Sequence, residues 1–377
     1  MIFLTWAAIG FSALYIFIQL RYLYHWHNII PAAVTDADLK QRTGASIIIL
    51  ARNEEDTIGH CIRSVLAQDV EDLPFEIIVI NDHSTDRTCA LVSEIKDPRI
   101  RLFSLQDYPT SIYPPAYKKS GITLAVDQAS YPIIITTDAD CVLQPTWLRT
   151  MVQSMHDPNI KMMTGPVLLE PCRTLLEKMQ GIEQLTLMLI TGAGIRGRIH
   201  DMANGANMAF RKEAFLRVKG YEGNLQYASG DDMFLIEKIR SAFPDGVAFV
   251  KSNAAAVFTT PKQDWTSLIE QRLRWAGKNK GLRSQTITRT WWMVGAYHIM
   301  LLLTGMVVLL HGISWTPFLI MIISKWAMDY VIIDSAATFF NRKKILRYFI
   351  PLQLMYGYYM IRLGFSMLIQ RNGDWQR

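Results

Sequence analysis

From Ile2 to Leu20 the chain carries no charged side chain. A run of that length is about what an α-helix needs to cross a bilayer, roughly 20 residues. Inside lipid every backbone N–H and C=O must be satisfied within the segment, so a single spanning run can only be helical. Further apolar segments lie near 291–311, 316–334 and 346–368, and the sequence between the two ends is mixed in character. Half of the 377 residues are hydrophobic. Their crowding at the two ends predicts an integral membrane protein that carries an aqueous domain. The other reading of the first run is a buried helix of a soluble domain.

A cleaved signal peptide would want a basic start and a small-x-small site, and neither is evident. The first positive charge, Arg21, follows the run, with Tyr22, Tyr24 and Trp26 at interfacial positions. The positive-inside rule then places the N-terminus outside and residue 21 onward in the cytoplasm of a plasma or inner membrane. Asn341-Arg342-Lys343-Lys344 marks a second cytoplasmic loop. Lys325, Asp329 and Asp334 are costly in lipid and are expected to face protein or water, with Lys325 and Asp329 spaced to pair. The last segment contains Pro351, Gln353 and Arg362, so its path is either a fourth crossing or kinked and partly re-entrant. The expected organisation is a transmembrane helix over 1–20, a linker over 21–44, an aqueous domain over 45–261, an amphipathic interfacial helix over 262–290 and about three membrane helices over 291–369. A formal charge of +6 reads as positive charge near a membrane face; no dense basic patch interleaved with aromatics points to nucleic acid. Cys61, Cys89, Cys141 and Cys172 lie far apart. They suggest neither a disulfide framework nor a zinc site, as suits a reducing compartment.

Within the aqueous stretch, strand-like and helical patterns alternate. Ser46–Ala51 is β-branched and is followed by Arg52-Asn53-Glu54-Glu55 and an amphipathic helix with Ile58, Cys61, Ile62, Val65 and Leu66. Phe75–Ile80 runs into Asn81-Asp82-His83-Ser84-Thr85-Asp86 and another helix, and Arg99–Phe103 reads as a short third strand. Ile133-Ile134-Ile135-Thr136-Thr137 then breaks into Asp138-Ala139-Asp140. Repeated strand–loop–helix units imply right-handed crossovers and a mostly parallel sheet. Loops that follow parallel strands gather on one edge of the sheet, where ligands of open α/β folds bind.

Each acidic loop supports two readings. Asp138 and Asp140 are either a turn or a pair whose mutual repulsion calls for a divalent cation. Asp82 can accept hydrogen bonds from a base or ribose, or it can cap the next helix together with Ser84 or Asp86. Arg52 can face a phosphate or hold Asp82. Lys118 and Lys119 stand before a helix, where they meet a diphosphate or simply water. The small residues of Met202–Arg211 permit close approach of backbone to a ligand. Gly230-Asp231-Asp232 opens a helix, where acids suit the dipole, and Asp232 is alternatively a general base. From Lys262 to Gln285 apolar residues recur at helical spacing, with Arg272, Arg274, Lys278, Lys280 and Arg283 on the polar surface. Such a helix is expected to lie in a membrane interface, with Gln271, Arg274 and Trp275 close on one side.

Taken in order, Arg52-Asn53-Glu54, Asn81–Asp86, Asp138-Ala139-Asp140, Gly230-Asp231-Asp232 and Gln271-Arg272-Leu273-Arg274-Trp275 resemble the signature set of membrane-bound family 2 glycosyltransferases. That group includes cellulose, chitin, hyaluronan and poly-N-acetylglucosamine synthases and ceramide-type lipid glucosyltransferases. The resemblance spans roughly residues 45–285, and its QxxRW element is the most specific part. It implies an α/β GT-A domain, a nucleotide-sugar donor (UDP being the usual carrier) and inversion at the anomeric carbon. Residue by residue, it implies that Asp138 and Asp140 hold Mg²⁺ or Mn²⁺ and that Asp232 is the catalytic base. Arg52, Glu54, Asp82, Lys118, Asp138, Asp231, Gln271, Arg274 and Trp275 are the expected substrate-binding residues. Asn81 and His83 stand where the pattern usually has Asp and Gly, and Asp231 where it has Glu.

Three functions compete at this level. The first is transfer of a sugar to a lipid acceptor at the cytoplasmic membrane face. The second is processive synthesis and export of a glycan, which would want more helices or a partner subunit. The third, a catalytically silent binding protein, would be expected to have lost one of the acids, and none is missing.

Overall fold

The computed structural model describes residues 2–32, 43–70, 73–111, 113, 118–227, 229–277, 286–312 and 314–369. Ten strands occur in it: β1 (Ala45–Ala51), β2 (Phe75–Asn81), β3 (Ile100–Ser104), β4 (Ile133–Asp138), β5 (Val142–Leu143), β6 (Met162–Thr164), β7 (Val167–Leu169), β8 (Met208–Arg211), β9 (Val247–Phe249) and β10 (Val257–Thr259). The helices are α1 (Ile2–His27), α2 (Ile58–Leu66), α3 (Thr88–Glu94), α4 (Lys118–Gln128), α5 (Trp147–Ser154), α6 (Leu175–Arg196), α7 (Lys212–Arg217), α8 (Asp231–Ala242), α9 (Trp265–Gly277), α10 (Thr286–His311), α11 (Thr316–Phe339) and α12 (Phe349–Ile369). They divide into two compact units. One contains Met1–Ile29, Arg173–His200 and Ser284–Arg377, the other Ile30–Cys172 and Asp201–Arg283.

The second unit is an α/β domain. Its seven-stranded sheet has the order β3-β2-β1-β4-β8-β6-β9. β1 pairs in parallel with β2 and β4, and β2 with β3, whereas β8 runs antiparallel to β4 and β6. The mostly parallel sheet expected from the sequence is therefore present. Strands covered on both faces read as continuous apolar runs, and β1 and β2 are buried along nearly their whole length. On one face α2 presents Ile58, Cys61, Ile62 and Val65 to the core that Trp147 of α5 also enters. Buried Asn207 locks that side. Its Nδ2 donates to the carbonyls of Pro166 and Ala255, each at 2.8 Å, and its Oδ1 accepts from Trp147 Nε1 at 3.0 Å. On the other face α4 comes unusually close to the strands. A Cβ on Gly121 would stand 2.7 Å from Leu50 Cδ2 and 3.2 Å from Ile80 Cγ2, so glycine there lets the helix start near the strand ends. A small sheet, β5-β10-β7, completes the domain.

The first unit holds the apolar helices. Among the described residues α1, Trp292–His311 of α10, and α11 are long and apolar enough to cross a membrane. The terminal segment forms the helix α12, outside that group of three. The first helix continues past residue 20 to His27, so part of the expected linker is helical; residues 33–42 of it lie outside the described residues. The expected aqueous stretch 45–261 is interrupted. Residues 173–200, including α6, pack with α1, α11 and α12. α6 starts at a capping box, in which Thr174 Oγ1 accepts from Glu177 N–H at 3.2 Å and Glu177 Oε2 accepts from Thr174 N–H at 2.8 Å.

The unit of apolar helices encloses a polar network. Lys325 pairs with Asp329 one turn away on α11, and its Nζ donates to Gln353 Oε1 of α12 at 3.1 Å. Tyr15 of α1 donates its hydroxyl to Asp329 Oδ1 at 2.5 Å and stacks on Tyr297 of α10, the ring centroids 4.5 Å apart. Four helices thus share one satisfied cluster, and the expected Lys325–Asp329 pair forms. Asp334, nearer the helix end, is 3.9 Å from Lys343. Removing one member of a buried pair strands the other charge, whereas replacing both need not be destabilising. Lys325→Met should therefore cost on the order of 3 kcal/mol, read as a lowered unfolding temperature in detergent. The double change Lys325→Met/Asp329→Leu should recover most of that loss. A double variant as unstable as the single one would show that packing, and not the pair, holds these helices.

Candidate active site

Register brings the acidic loops together. Ala51 at the end of β1 lies opposite Asn81 at the end of β2, and Leu50 lies opposite Asp138 of β4. All three strands are parallel, so the segments starting at Arg52, Asp82 and Ala139 leave the sheet at one edge. The first two are laced together. Asn53 N–H donates to Ser84 Oγ (3.1 Å), Thr85 N–H to Asn53 Oδ1 (2.8 Å), and Glu54 N–H to Thr88 Oγ1 (2.8 Å). Asn53 and His83 hold left-handed backbone, φ 55 and 59, a region that asparagine and histidine occupy more readily than most residues. The same geometry accounts for a glycine in the usual pattern at position 83. Asn81 makes the turn, its Oδ1 accepting from Ser84 N–H at 3.0 Å.

Asp82 is buried, with His83 Nδ1 at 2.9 Å from its Oδ1, whereas Arg52 is exposed. Asp86 does capping work: its Oδ1 accepts from the backbone and hydroxyl of Thr88, at 3.0 and 2.6 Å. The loop's acids therefore divide, and only Asp82 is left at the strand end.

A second group forms around Lys118, the first residue of α4. Its Nζ lies 2.6 Å from Asp138 Oδ1 and 3.9 Å from Asp231 Oδ2. Burial works against the Lys118 charge, but Asp138, Asp231 and Asp232 outweigh it and raise the ammonium above its usual range. Asp231 and Asp232 are buried at the start of α8. Asp232 Oδ1 accepts from Met233 N–H at 2.9 Å and its Oδ2 from Gly205 N–H at 3.4 Å. Gly205 is tied to the sheet in turn, its carbonyl accepting from Thr136 Oγ1 at 2.7 Å. A Cβ there would stand 3.1 Å from Lys118 Nζ and 3.2 Å from Asp231 Oδ2. The close approach expected of this small-residue stretch is thus to protein groups of the site. Tyr221, which no sequence pattern singles out, is buried within reach of the charges of the two acids. Burial, then Asp231 and Asp232, hold its phenol protonated well above the ordinary range.

The pair Lys118-Lys119 separates. Lys118 faces the acids, while Lys119 is buried and donates to the carbonyls of Tyr227 and Ser229. No pattern in the sequence distinguishes these neighbours.

Asp140 is exposed and accepts from Thr259 Oγ1 of β10 at 3.1 Å. Glu54 faces it. Half-burial raises the Glu54 carboxyl and the charges of Asp140 and Asp138 add to that, against a 2.7 Å hydrogen bond from Thr57 and the charge of Lys262. Among the described residues no three acidic, histidine or cysteine side chains form a ready-made metal cage. Asp138 and Asp140 nevertheless fit a hard divalent cation that keeps water and phosphate oxygens in the rest of its shell, and the mutual repulsion felt at Glu54 is what such a charge would relieve. Thr259 and Lys262 sit in a short strand and the turn after it, with no periodic signal to announce them.

The chain then enters α9, which is capped by Asp264 and starts at Trp265 rather than at Lys262. Asp264 Oδ1 accepts from the N–H groups of Thr266 and Ser267, each at 2.9 Å. Leu268, Ile269 and Leu273 form its buried stripe. Arg272, expected on the polar surface, is buried there as well. Its Nη1 donates to Gln271 Oε1 at 2.7 Å and its guanidinium lies 4.2 Å from the Trp275 ring centroid. Gln271 and Trp275 are therefore joined through Arg272, and Arg274 is exposed. Lys278, Lys280 and Arg283 lie outside the described residues.

The Glu54 environment has a pH signature. A carboxyl whose folded pKa is raised favours the fold below its unfolded pKa, and that contribution is lost as pH rises through the folded value. Ionised Glu54 therefore weakens the metal-free protein near neutrality, and Glu54→Gln, which keeps an acceptor for Thr57, should raise the unfolding temperature at about pH 7. The gain should vanish below about pH 4, where the carboxyl is neutral. Thermal scans with a chelator at the two pH values check this, and an equal gain at both would assign the effect to packing.

Comparisons with known proteins identify the family and the fold. Residues 46–218 match the family Glycosyl transferase family 2, and residues 133–361 match Glycosyl transferase family group 2. The poly-beta-1,6-N-acetyl-D-glucosamine synthase of Staphylococcus aureus (strain MSSA476) is 28% identical over 190 residues, covering 49% of this chain and 43% of that protein. Succinoglycan biosynthesis protein ExoO of Rhizobium meliloti (strain 1021) is 35% identical over 108 residues, 29% of this chain and 28% of that one. The matched stretch thus spans less than half the length of these curated relatives. Among solved structures, mannosyltransferase PcManGT from Pyrobaculum calidifontis, in complex with GDP-Man and Mn²⁺, superposes over 98% of both chains with a TM-score of 0.58 at 17% identity, a likeness of fold. With its mostly parallel sheet, acidic strand-end loops and family match over more than half its length, the chain has the GT-A fold and belongs to glycosyltransferase family 2.

Proposed function

We propose that the chain is a metal-dependent inverting glycosyltransferase that moves a sugar from a nucleotide-sugar donor, a UDP-sugar, to the hydroxyl of a lipid acceptor at the cytoplasmic membrane face. The observation that carries this reading is the convergence on Lys118 of Asp138 at 2.6 Å and Asp231 at 3.9 Å, with Asp232 beside them. Donor-side and acceptor-side groups of the family pattern thus share one small region. In this reading Asp82 receives the base or ribose, and Arg52, Glu54 and Lys118 border the diphosphate. Asp138 and Asp140 would hold Mg²⁺ or Mn²⁺, which when bound supplies charge stabilisation to the leaving diphosphate. Asp231 and the Gln271, Arg274 and Trp275 helix border the acceptor.

The chemical step asks one thing of the protein beyond positioning. As the acceptor oxygen attacks the anomeric carbon, its proton passes to Asp232. The bond from that carbon to the diphosphate oxygen breaks on the opposite side, and the nucleoside diphosphate leaves with the electron pair, inverting the configuration. Lys118 holds positive charge where negative charge develops.

Two features support the cytoplasmic orientation. Trp26 at the end of α1 packs on Phe339 and Phe340 at the end of α11, so these ends lie together. Basic residues gather near both, Arg21 beside the first and Arg342-Lys343-Lys344 after the second. The Lys325–Asp329–Tyr15–Gln353 cluster supports the lipid acceptor, since its charges and donors are paired with one another across the helices rather than held for a passing glycan. The second reading, extension and export of a glycan, is favoured by the names of the curated relatives, a poly-N-acetylglucosamine synthase and a succinoglycan biosynthesis protein.

Asp232→Asn should lower transfer by about 10²–10⁴-fold while nucleotide affinity, measured by titration calorimetry, changes little; unchanged turnover would remove Asp232 from the role of base. Asp138→Asn should instead abolish the difference in UDP affinity with and without Mn²⁺. Mass spectrometry of the product made in lipid vesicles distinguishes a glycolipid from a polymer.

A further inference from the structure

Lysine at the start of a helix opposes the helix dipole, and burying its ammonium is expensive unless its hydrogen bonds are satisfied. α4 nevertheless opens with two lysines, and the second, Lys119, is 1% exposed. Its Nζ donates to the carbonyl of Tyr227 and, at 3.1 Å, to that of Ser229. The same ammonium lies 5.2 Å from the centroid of the Phe234 ring, on the first turn of α8, and Tyr227 stacks on that ring at 5.2 Å. Lys119 therefore grips both the chain that enters α8 and the helix itself. Between these grips stand Gly230, in left-handed backbone at φ 86, and then Asp231 and Asp232.

The neighbouring Lys118 holds Asp138, so the first two residues of α4 tie the end of β4 to the turn that presents Asp231 and Asp232. α4 is itself seated against β1 and β2 through Gly121. We infer that Lys119 is a positioning residue for Asp232. It touches neither donor nor acceptor, but sets the place of the base relative to the diphosphate site, through one rigid helix start. The inference rests on the reading of Asp232 as the base.

The first turn of α8 would retain its own hydrogen bonds without Lys119, so the loss should be one of aim. A displacement of about 1 Å in a catalytic group is worth about 10²-fold in rate. Lys119→Met in the full chain should therefore lower kcat by roughly 10–100-fold, with the donor KM and the Mn²⁺-dependent affinity for UDP within about twofold of the parent protein. Lys119→Arg, which keeps charge and donors, should recover much of kcat. The assay uses UDP-glucose, UDP-N-acetylglucosamine and GDP-mannose with mixed membrane lipid vesicles, continuing with the donor that supports transfer.

If Lys119→Met weakens UDP binding as much as it lowers kcat, or if Lys119→Arg is no better than Met, the residue is a general structural support and the inference fails. A kcat unchanged in Lys119→Met while Asp232→Asn is inactive overturns the inference alone. An active Asp232→Asn, or no transfer by the parent protein from any of the donors, overturns the function proposed above and this inference with it.

Discussion

The in-register parallel pairing of β1 with β2 and β4 is the constraint on which the rest depends. Parallel neighbours require crossovers, so each strand is followed by a loop and a helix, and each of these loops leaves the sheet at the same edge. Pairing of Ala51 with Asn81, and of Leu50 with Asp138, aligns the three exits to within a residue. A shift of one position would turn every buried side chain of a strand to the other face. The burial of β1 and β2 on both faces, with helices above and below, makes that shift costly. The acidic loops are held where they are by the hydrophobic core beneath them.

Gathering acids at one edge creates a charge problem, and the surroundings are arranged to offset it. Lys118 answers Asp138 and Asp231; Lys262 partly answers Glu54. Asp86 is drawn off into capping Thr88, and Asp82 is met by His83. What is left is the exposed Asp140 at the strand end, with the raised Glu54 facing it. Negative charge is thus neutralised around Lys118 and left in excess at Asp140 and Glu54.

Much of this was legible because it depends on short-range pattern. An uncharged apolar run can only be a helix in lipid, and β-branched runs that stop at Asp or Asn mark buried strands and their exits. Lys325 and Asp329 are one helical turn apart, so their pairing follows from spacing. Other features were misread or missed for definite reasons. α6 joins the unit of apolar helices although its sequence sits inside the stretch expected to be aqueous, because no local signal records which neighbours a helix will find. Arg272 looks like a surface charge until Gln271 and Trp275 supply its hydrogen bond and its aromatic face. Tyr221, Thr259 and Lys262 enter the site from segments with no periodicity at all.

Lys118 and Lys119 draw the boundary most sharply. The sequence by itself determined that two cations open a helix in a fold whose strand ends carry acids, since residue type and helical start are local properties. Only the tertiary structure decided that one of them meets Asp138 and the other is buried against the carbonyls ahead of Asp231 and Asp232. Successive residues on a helix point about 100° apart, so Lys118 reaches the end of β4, 20 positions on, while Lys119 meets carbonyls 108 and 110 positions away, brought there by packing.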